Sequence, residues 1–221
     1  MSDILKTHHE TILENDFIFD YRRGVFWKQK KVLMVTDLHW GKSTFFQKHG
    51  IAIPDDVLDS DLDRLKNLMR EYDPSTVLIL GDLIHHEGSL HDRLVEKIAH
   101  FRHAYPFEFI LIKGNHDRYT SFPESWGIVE EKKLVIENFS FTHDLVKKEN
   151  NFQFSGHLHP MMAFKTGLDF IRLPAFIIKE KACLLPAFSV FTGGQSMKLG
   201  KKEKAIVVYN DGLEVFENSE S

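Results

Sequence analysis

Residues 35–46, VTDLHWGKSTFF, follow a short apolar run and combine two signals that predict different folds. The letters GKS at 41–43 resemble the end of a nucleotide-binding P-loop, in which backbone amides hold a phosphate group. Asp37 and His39 are spaced by two at the end of a predicted strand, so both side chains can point to one side and hold a metal ion. The choice between phosphate cradle and metal site decides the fold.

The surrounding residues argue against the P-loop. A P-loop requires a second glycine five positions before Gly41, and this chain has Thr36 there. The intervening residues include the bulky Leu38, His39 and Trp40, which leave no room for a tight backbone cradle. The segment is therefore interpreted as part of a metal site.

The composition predicts an ordinary globular protein, with 43% hydrophobic and 27% charged residues among 221. We expect a single domain over residues 1–221. One cysteine, Cys183, excludes an intramolecular disulfide and predicts a core residue in a cytoplasmic protein. No segment resembles a signal peptide or a membrane span, so no membrane partner is expected. The net charge of −4 argues against a wide basic surface for nucleic acid but leaves room for a local basic groove.

Two segments have the apolar periodicity of helices. The first is predicted over 55–72 and the second over 89–104, with Ser89 as the N-cap of the second. The apolar stripes are Leu58, Leu62, Leu65, Met69 and Tyr72 in the first helix and Leu90, Leu94, Ile98, Phe101 and Tyr105 in the second.

Five apolar runs are typical of buried strands, and each ends in Asp, Asn or His. They cover 31–37, 75–82, 107–115, 138–144 and 151–157. Alternation of strands and helices predicts parallel strands, whose carboxyl ends meet where ligands bind. The later half of the chain is dominated by strand signals, including LPAF at 173–176 and 185–188, which we expect to form neighbouring strands. The predicted fold class is α/β, a two-layer β-sandwich flanked by helices.

The polar strand ends together resemble one known family. The segments are Asp37-x-His39, Gly81-Asp82, Gly114-Asn115-His116-Asp117, His143 and Gly156-His157-x-His159. In this order they resemble the motif set of the calcineurin-like metallophosphoesterases. The resemblance implies an α/β/β/α fold and a phosphoesterase that uses two divalent metal ions.

The resemblance also implies a role for each residue. One metal ion is expected on Asp37, His39 and His159, and a second on Asn115, His143 and His157, with Asp82 bridging them. His116 is expected to face the scissile phosphate. Carboxylate, amide and imidazole ligands without thiolate favour Mn²⁺, with Fe or Zn²⁺ as alternatives.

His85 gives the first indication of a subfamily. The segment GDLIH at 81–85 resembles the corresponding segment of DNA-repair nucleases in the same superfamily, in which the histidine helps to place the phosphate. His85 is therefore predicted to assist His116 in catalysis; the alternative is a solvent-facing or supporting histidine. Lys42, beside the first ligand pair, and Arg118 are predicted to bind substrate.

Two longer segments, DLHWGKSTFFQKHGIAIP and LLPAFSVFTGG, resemble the bacterial ligase-associated DNA-damage-response endonucleases of the PdeM group. This resemblance implies a DNA phosphodiester substrate and, as partners, a DNA ligase, a helicase and an exonuclease-like repair protein. In addition, Lys198, Lys201 and Lys202 lie in a glycine-containing segment that could follow a nucleic-acid backbone or form a solvated turn. Two alternative functions stay open: a small-molecule phosphodiesterase of the cyclic-nucleotide type, and a non-catalytic metal-binding interaction module.

Overall fold

A computed structural model describes residues 5–42, 57–167 and 169–218, and these form two β-sheets packed face to face. The strands of the first sheet are β1 (Thr7–Ile12), β2 (Asn15–Asp20), β3 (Gly24–Trp27), β4 (Val32–Val35), β5 (Thr76–Ile79), β6 (Glu108–Ile112) and β7 (Ile128–Glu131). They lie side by side in chain order, antiparallel from β1 to β4 and parallel from β4 to β7. The predicted parallel strands are thus present in this sheet.

The second sheet is built from the later half of the chain. Its strands are β8 (Leu134–Ile136), β9 (Phe139–Phe141), β10 (Phe152–Ser155), β11 (Pro160–Thr166), β12 (Asp169–Lys179), β13 (Ala182–Leu184), β14 (Gln195–Ser196), β15 (Lys204–Val208) and β16 (Leu213–Glu217). The spatial order is β14-β11-β12-β13-β10-β9-β8, with β15 paired to β12 and β16 to β15. Strands β9, β10 and β13 run parallel, so their carboxyl ends also share one edge.

Successive side chains of a strand point to opposite faces of the sheet, which gives the fold one core between the sheets and another beneath the helices. In β4, Val32 and Met34 belong to the core between the sheets, whereas Leu33 and Val35 pack against helices on the outside. The inner core is rich in aromatic rings from both sheets, such as Phe17 against Phe154 at 5.0 Å between ring centroids. Because every residue of β4 is buried on one face or the other, its sequence is continuously apolar. The predicted two-layer α/β sandwich is confirmed.

Two α-helices cover the outer face of the first sheet in the described ranges: α1 (Val57–Tyr72) and α2 (Asp92–Ala104). Residues 55 and 56, where the first helix was predicted to begin, lie outside these ranges. The prediction of Ser89 as N-cap is wrong. Glu87–Ser89 form a 3-10 turn, and α2 is capped by His91, whose Nδ1 accepts from the Leu94 N–H at 3.2 Å. No described helix is long and apolar enough to cross a membrane.

The two LPAF segments differ in structure. Residues 173–176 lie within β12, but 185–188 follow β13 and form no strand, so this prediction is wrong. Pro186 has no N–H to donate to a neighbouring strand. Instead, Phe188 donates its N–H to Thr36 O at 2.8 Å, which turns the segment across the end of β4. Cys183 of β13 lies in the core, as predicted.

Candidate metal centre

The carboxyl ends of parallel strands from both sheets meet at one place. Asp37 follows β4, Asp82 follows β5 and Asn115 follows β6 in the first sheet. His143 follows β9 and His157 follows β10 in the second. The two sheets therefore contribute opposite walls of one cluster of polar side chains, at the edge where such folds bind ligands.

The first group of candidate ligands consists of Asp37, His39 and His159, whose ligand atoms lie within 4.8 Å of one another. His159 Nε2 lies 3.0 Å from Asp37 Oδ1, and neither atom has a hydrogen-bond partner among the described residues, although both are buried. The other ring nitrogen of His159 hydrogen-bonds to Gly193 O at 3.0 Å, which leaves Nε2 as the electron-pair donor. Buried nitrogen and oxygen atoms that converge in this way, with no partner except each other, are suited to hold a cation.

The second group consists of Asp82, His143 and His157, again within 4.8 Å. His143 donates from Nδ1 to Leu80 O at 2.8 Å, so its Nε2 is available as a ligand. That Nε2 lies 3.4 Å from Asp82 Oδ2 and 3.2 Å from His157 Nδ1. Asn115 adjoins the group, with Nδ2 at 3.4 Å from His157 Nδ1. A half-turn of the amide would place its oxygen there instead, which is the atom a metal ion requires.

Asp82, a member of the second group, also lies beside the first group. Its Oδ2 is 3.4 Å from His143 Nε2, 3.9 Å from His116 Nε2 and 4.0 Å from His39 Nε2. Its Oδ1 accepts the backbone N–H of His116 at 3.0 Å. One carboxylate therefore contacts residues of both groups, as a bridging ligand must.

The charges of these groups are interdependent. Burial alone would raise the pKa of Asp82, but hydrogen bonding to His143 and the nearby positive charge outweigh burial and hold it well below its usual range. Burial would lower the pKa of His143, yet Asp82 and Asp37 raise it to about 9, so a metal ion that binds Nε2 at pH 7 must displace a proton. Burial lowers the pKa of His39 to about 3, so this ring is neutral at pH 7 and can act as a ligand.

The backbone at the candidate ligands is strained. Five of them adopt positive φ angles, a region that costs L-residues free energy. These are Asp37 (54°), His39 (47°), Asp82 (51°), His157 (64°) and His159 (45°). Strain of this kind persists only where the surrounding structure imposes it, and it concentrates at functional sites.

Glycines before the ligands allow segments of the two sheets to approach closely. A Cβ added to Gly81 would lie 2.1 Å from His143 Nδ1, and one added to Gly156 would lie 1.9 Å from Thr36 Oγ1. Any larger residue at either position would therefore separate the two walls of the site.

The two predicted catalytic histidines are adjacent. The rings of His116 and His85 stack with centroids 5.4 Å apart and planes 24° apart. His116 is exposed and reaches towards Asp82 from the solvent side. Burial, with Lys42 and His116 nearby, lowers the pKa of His85 to about 4, so His85 is a neutral neighbour of His116 at pH 7.

The two predicted substrate-binding residues, Lys42 and Arg118, differ in their burial and in their contacts. Lys42 is half-buried, and its Nζ lies 3.3 Å from Thr192 Oγ1, on the loop that also supports His159. Burial lowers the pKa of Lys42. Arg118 is exposed, and the structure shows it in no hydrogen bond or ion pair with another described residue.

The sequence assigned no role to two acidic residues of the site, Asp117 and Asp144. Asp117 is buried and accepts N–H groups from Leu83 and Gly114 at 3.1 and 3.0 Å, which ties the loop after β5 to the loop after β6. Asp144 approaches His157 Nε2 at 3.2 Å. Each directly follows a motif histidine in the chain, and that adjacency was the available signal.

Two of the three lysines of the glycine-containing segment, Lys201 and Lys202, do not lie at this centre. Lys204, at the start of β15, pairs with Ile178 of β12. Ile178 in turn pairs with Cys183 of β13, and Cys183 pairs with Phe154 of β10. These pairings make β15 run in the same direction as β10, towards the metal centre. Lys201 and Lys202 precede β15 and therefore lie at the end of the sheet away from the centre. The segment before them is held in place, since Gly194 packs on the His159 backbone and Gln195–Ser196 pair with β11.

Known proteins were compared with this chain. A sequence profile described as calcineurin-like phosphoesterase matches residues 30–176, which include every candidate ligand. The crystal structure of a nuclease from Pseudomonas putida, MPE, superposes with a TM-score of 0.80 at 25% identity, covering 95% of this chain and 100% of that one. The E. coli phosphoesterase Yfce gives a TM-score of 0.42 at 16% identity, covering 85% and 99%. No curated protein sequence matches significantly.

Proposed function

The chain belongs to the calcineurin-like phosphoesterase family and is a metal-dependent phosphoesterase, and from this premise we propose that it is a dinuclear nuclease that hydrolyses DNA phosphodiesters. The observation that supports two metal ions is the position of Asp82, whose carboxylate lies 3.4 Å from His143 of the second group and 4.0 Å from His39 of the first. The nuclease part is supported by the likeness to the Pseudomonas putida nuclease over nearly the whole chain.

The ligand roles follow from the two groups. We assign one metal ion to Asp37, His39 and His159, and a second to Asn115, His143 and His157, with Asp82 shared. The ions would neutralise phosphate charge and lower the pKa of water, which makes a nucleophile available near neutral pH. Oxygen and imidazole ligands without thiolate favour Mn²⁺, with Fe or Zn²⁺ as alternatives.

The protein itself orients the reaction. Backbone carbonyls accept from the Nδ1 atoms of His143 and His159, so each ring presents Nε2 to the centre. His116 lies at the exposed side of Asp82, where a leaving alkoxide can receive its proton. The stacked His85 ring restricts the His116 ring, and Lys42 can donate to a non-bridging phosphate oxygen.

We extend the proposal to the setting of the enzyme. The chain is proposed to act as a single domain over residues 1–221, in the cytoplasm. Its proposed partners are a DNA ligase, a helicase and an exonuclease-like repair protein, which rest on the resemblance to ligase-associated endonucleases. Arg118, exposed two residues after His116, is retained as a proposed contact to the DNA backbone.

A substrate panel tests the proposal. Protein loaded with Mn²⁺ is incubated with single-stranded DNA, duplex DNA, a cyclic nucleotide and the small diester methyl 4-nitrophenyl phosphate, with and without a chelator. We expect chelator-sensitive cleavage of DNA that Asp37→Asn abolishes. The matched control Asp211→Asn changes an exposed carboxylate that pairs with Lys6 and should retain activity.

Each contrary result has a distinct meaning. Hydrolysis of the small substrates with intact DNA would replace the nuclease by a small-molecule phosphodiesterase. Tight binding of Mn²⁺ without turnover of any diester would indicate a metal-binding interaction module.

A further inference from the structure

Two exposed aromatic side chains lie on loops that also hold the metal centre. We propose that Tyr119 and Phe191 are stacking platforms for unpaired nucleobases on either side of the scissile phosphate. This proposal rests on the nuclease function and adds the residues that would select single-stranded substrate.

Tyr119 is 84% exposed although the buried residues Asp117 and Thr120 lie on either side of it in the same turn. A hydrogen bond from the Thr120 N–H to Asp117 O, 3.0 Å long, closes the loop that contains Tyr119. Tyr119 lies three residues after His116, on the wall formed by the first sheet. A large ring held in water by a well-packed turn, so close to the proposed proton donor, offers a flat apolar face to a ligand.

Phe191 is 41% exposed in the loop after β13, which crosses the end of β4 beside Asp37. The loop is attached to the first ligand group at several points. Ser189 donates its N–H to Asp37 O at 3.3 Å, and Gly193 O accepts from His159. These bonds fix Phe191 relative to the residues proposed to hold the first metal ion.

Two arginines keep this loop in one conformation. Arg23 donates from Nη1 to the carbonyls of Ala187 and Ser189, both at 3.1 Å. Arg64 donates to the intervening carbonyl of Phe188 and is paired with Asp61 at 2.7 Å. Because three consecutive carbonyls are held, binding a base on Phe191 would require little further ordering of the loop.

The charge of the protein explains why stacking would matter. The net charge of −4 gives a general repulsion of a polyanion. The lysines at 201 and 202 lie away from the centre, so they add little there. Stacking of a base on an aromatic ring contributes about 1–3 kcal/mol and does not depend on base identity. Bases within a duplex have no free face, so two such platforms would favour flexible single strands.

The test compares Tyr119→Ala and Phe191→Ala with Phe170→Ala, a matched control. Phe170 is 69% exposed at the far end of the β11–β12 hairpin. Each platform variant should raise KM for single-stranded DNA roughly 5- to 150-fold, the factor that corresponds to one lost stack. Hydrolysis of methyl 4-nitrophenyl phosphate should not change, and Tyr119→Trp should retain wild-type cleavage of DNA.

Abasic substrates show whether a base is the partner. An abasic nucleotide at the correct distance from the cleavage site should weaken wild-type cleavage by a similar factor and should cause no further loss in the alanine variant. Equal losses for DNA and for the small diester, or additive effects of the variant and the abasic site, would overturn the stacking proposal. Unchanged DNA cleavage in both variants would also overturn it and leave the nuclease function intact. Absence of DNA cleavage by the wild type would defeat the nuclease function itself.

Discussion

The two groups of candidate metal ligands differ in how they are enclosed. In the first group Asp37 and His39 are buried and His159 is only 17% exposed. In the second group Asp82 and His143 are buried, but His157 is 38% exposed and Asn115 is exposed. The first group is therefore closed by protein, and the second opens towards solvent.

The supporting hydrogen bonds differ in the same way. His159 is oriented by the backbone carbonyl of Gly193, which the fold keeps in place. His157 directs Nε2 towards Asp144, a side chain that is 55% exposed. Since an exposed carboxylate is less restricted than a backbone carbonyl, we expect the second ion to bind more weakly and to exchange faster than the first.

The largest expected effect comes from the residue that the two groups share. Asp82→Asn removes the anionic charge that both ions would use, so it should weaken both by more than the roughly 10–100-fold loss typical of supporting residues. Asp37→Asn should weaken only the first ion. Calorimetric titration with Mn²⁺ measures both affinities. One unaffected site in Asp82→Asn would contradict the bridging role.

The next effect separates chemistry from metal binding. His116→Ala should keep both Mn²⁺ ions but lower turnover of DNA by about 10²–10⁴-fold, as expected for loss of a positioned proton donor. Turnover of methyl 4-nitrophenyl phosphate should fall less, because its leaving group needs no proton. Stopped-assay rates on the two substrates provide the comparison. Equal losses would show that His116 acts by positioning the phosphate.

A smaller effect tests the difference between the groups directly. Asp144→Asn removes the charge that faces His157, and the second ion should then bind roughly 10–100-fold more weakly. The first ion should be unaffected, because His159 is oriented by Gly193. Asp211→Asn, another exposed carboxylate, is the control. Equal weakening of both ions would show that the two groups are not independently supported.

The smallest expected effect concerns the lysine segment. Replacing Lys201 and Lys202 together with glutamine should leave the salt dependence of DNA cleavage unchanged, because the strand register carries these two residues away from the centre. A lysine that neutralises a phosphate of a single strand would contribute roughly −0.7 to the slope of log affinity against log salt. Measuring KM between low and moderate salt therefore detects even one such contact. A flatter slope in this double variant would show that DNA reaches the end of the second sheet opposite the metal centre.

Local patterns explain which parts of the fold the sequence could predict. Continuous apolar runs such as β4, and stripes such as Leu62 and Leu65, depend on the immediate neighbours of each residue and were interpreted correctly. The predicted start of the second helix was wrong because Ser89 is a good N-cap by type, yet the 3-10 turn before α2 gives the cap to His91. Residues 185–188 form no strand because Phe188 donates its N–H to Thr36 O, about 150 positions away in the chain, a partner that no local pattern indicates.

For the site, the sequence by itself determined the identity and order of the proposed ligands, since Asp, Asn and His at strand ends are visible as letters. Only the tertiary structure decided that Asp82 lies between the two groups, and which nitrogen of His143 and His159 faces the centre. It also decided that Tyr119 and Phe191 remain exposed while Lys201 lies elsewhere. The physical reason is that a side chain's chemistry is local, whereas its partners, burial and distance from a site depend on how strands from two separate sheets are brought together.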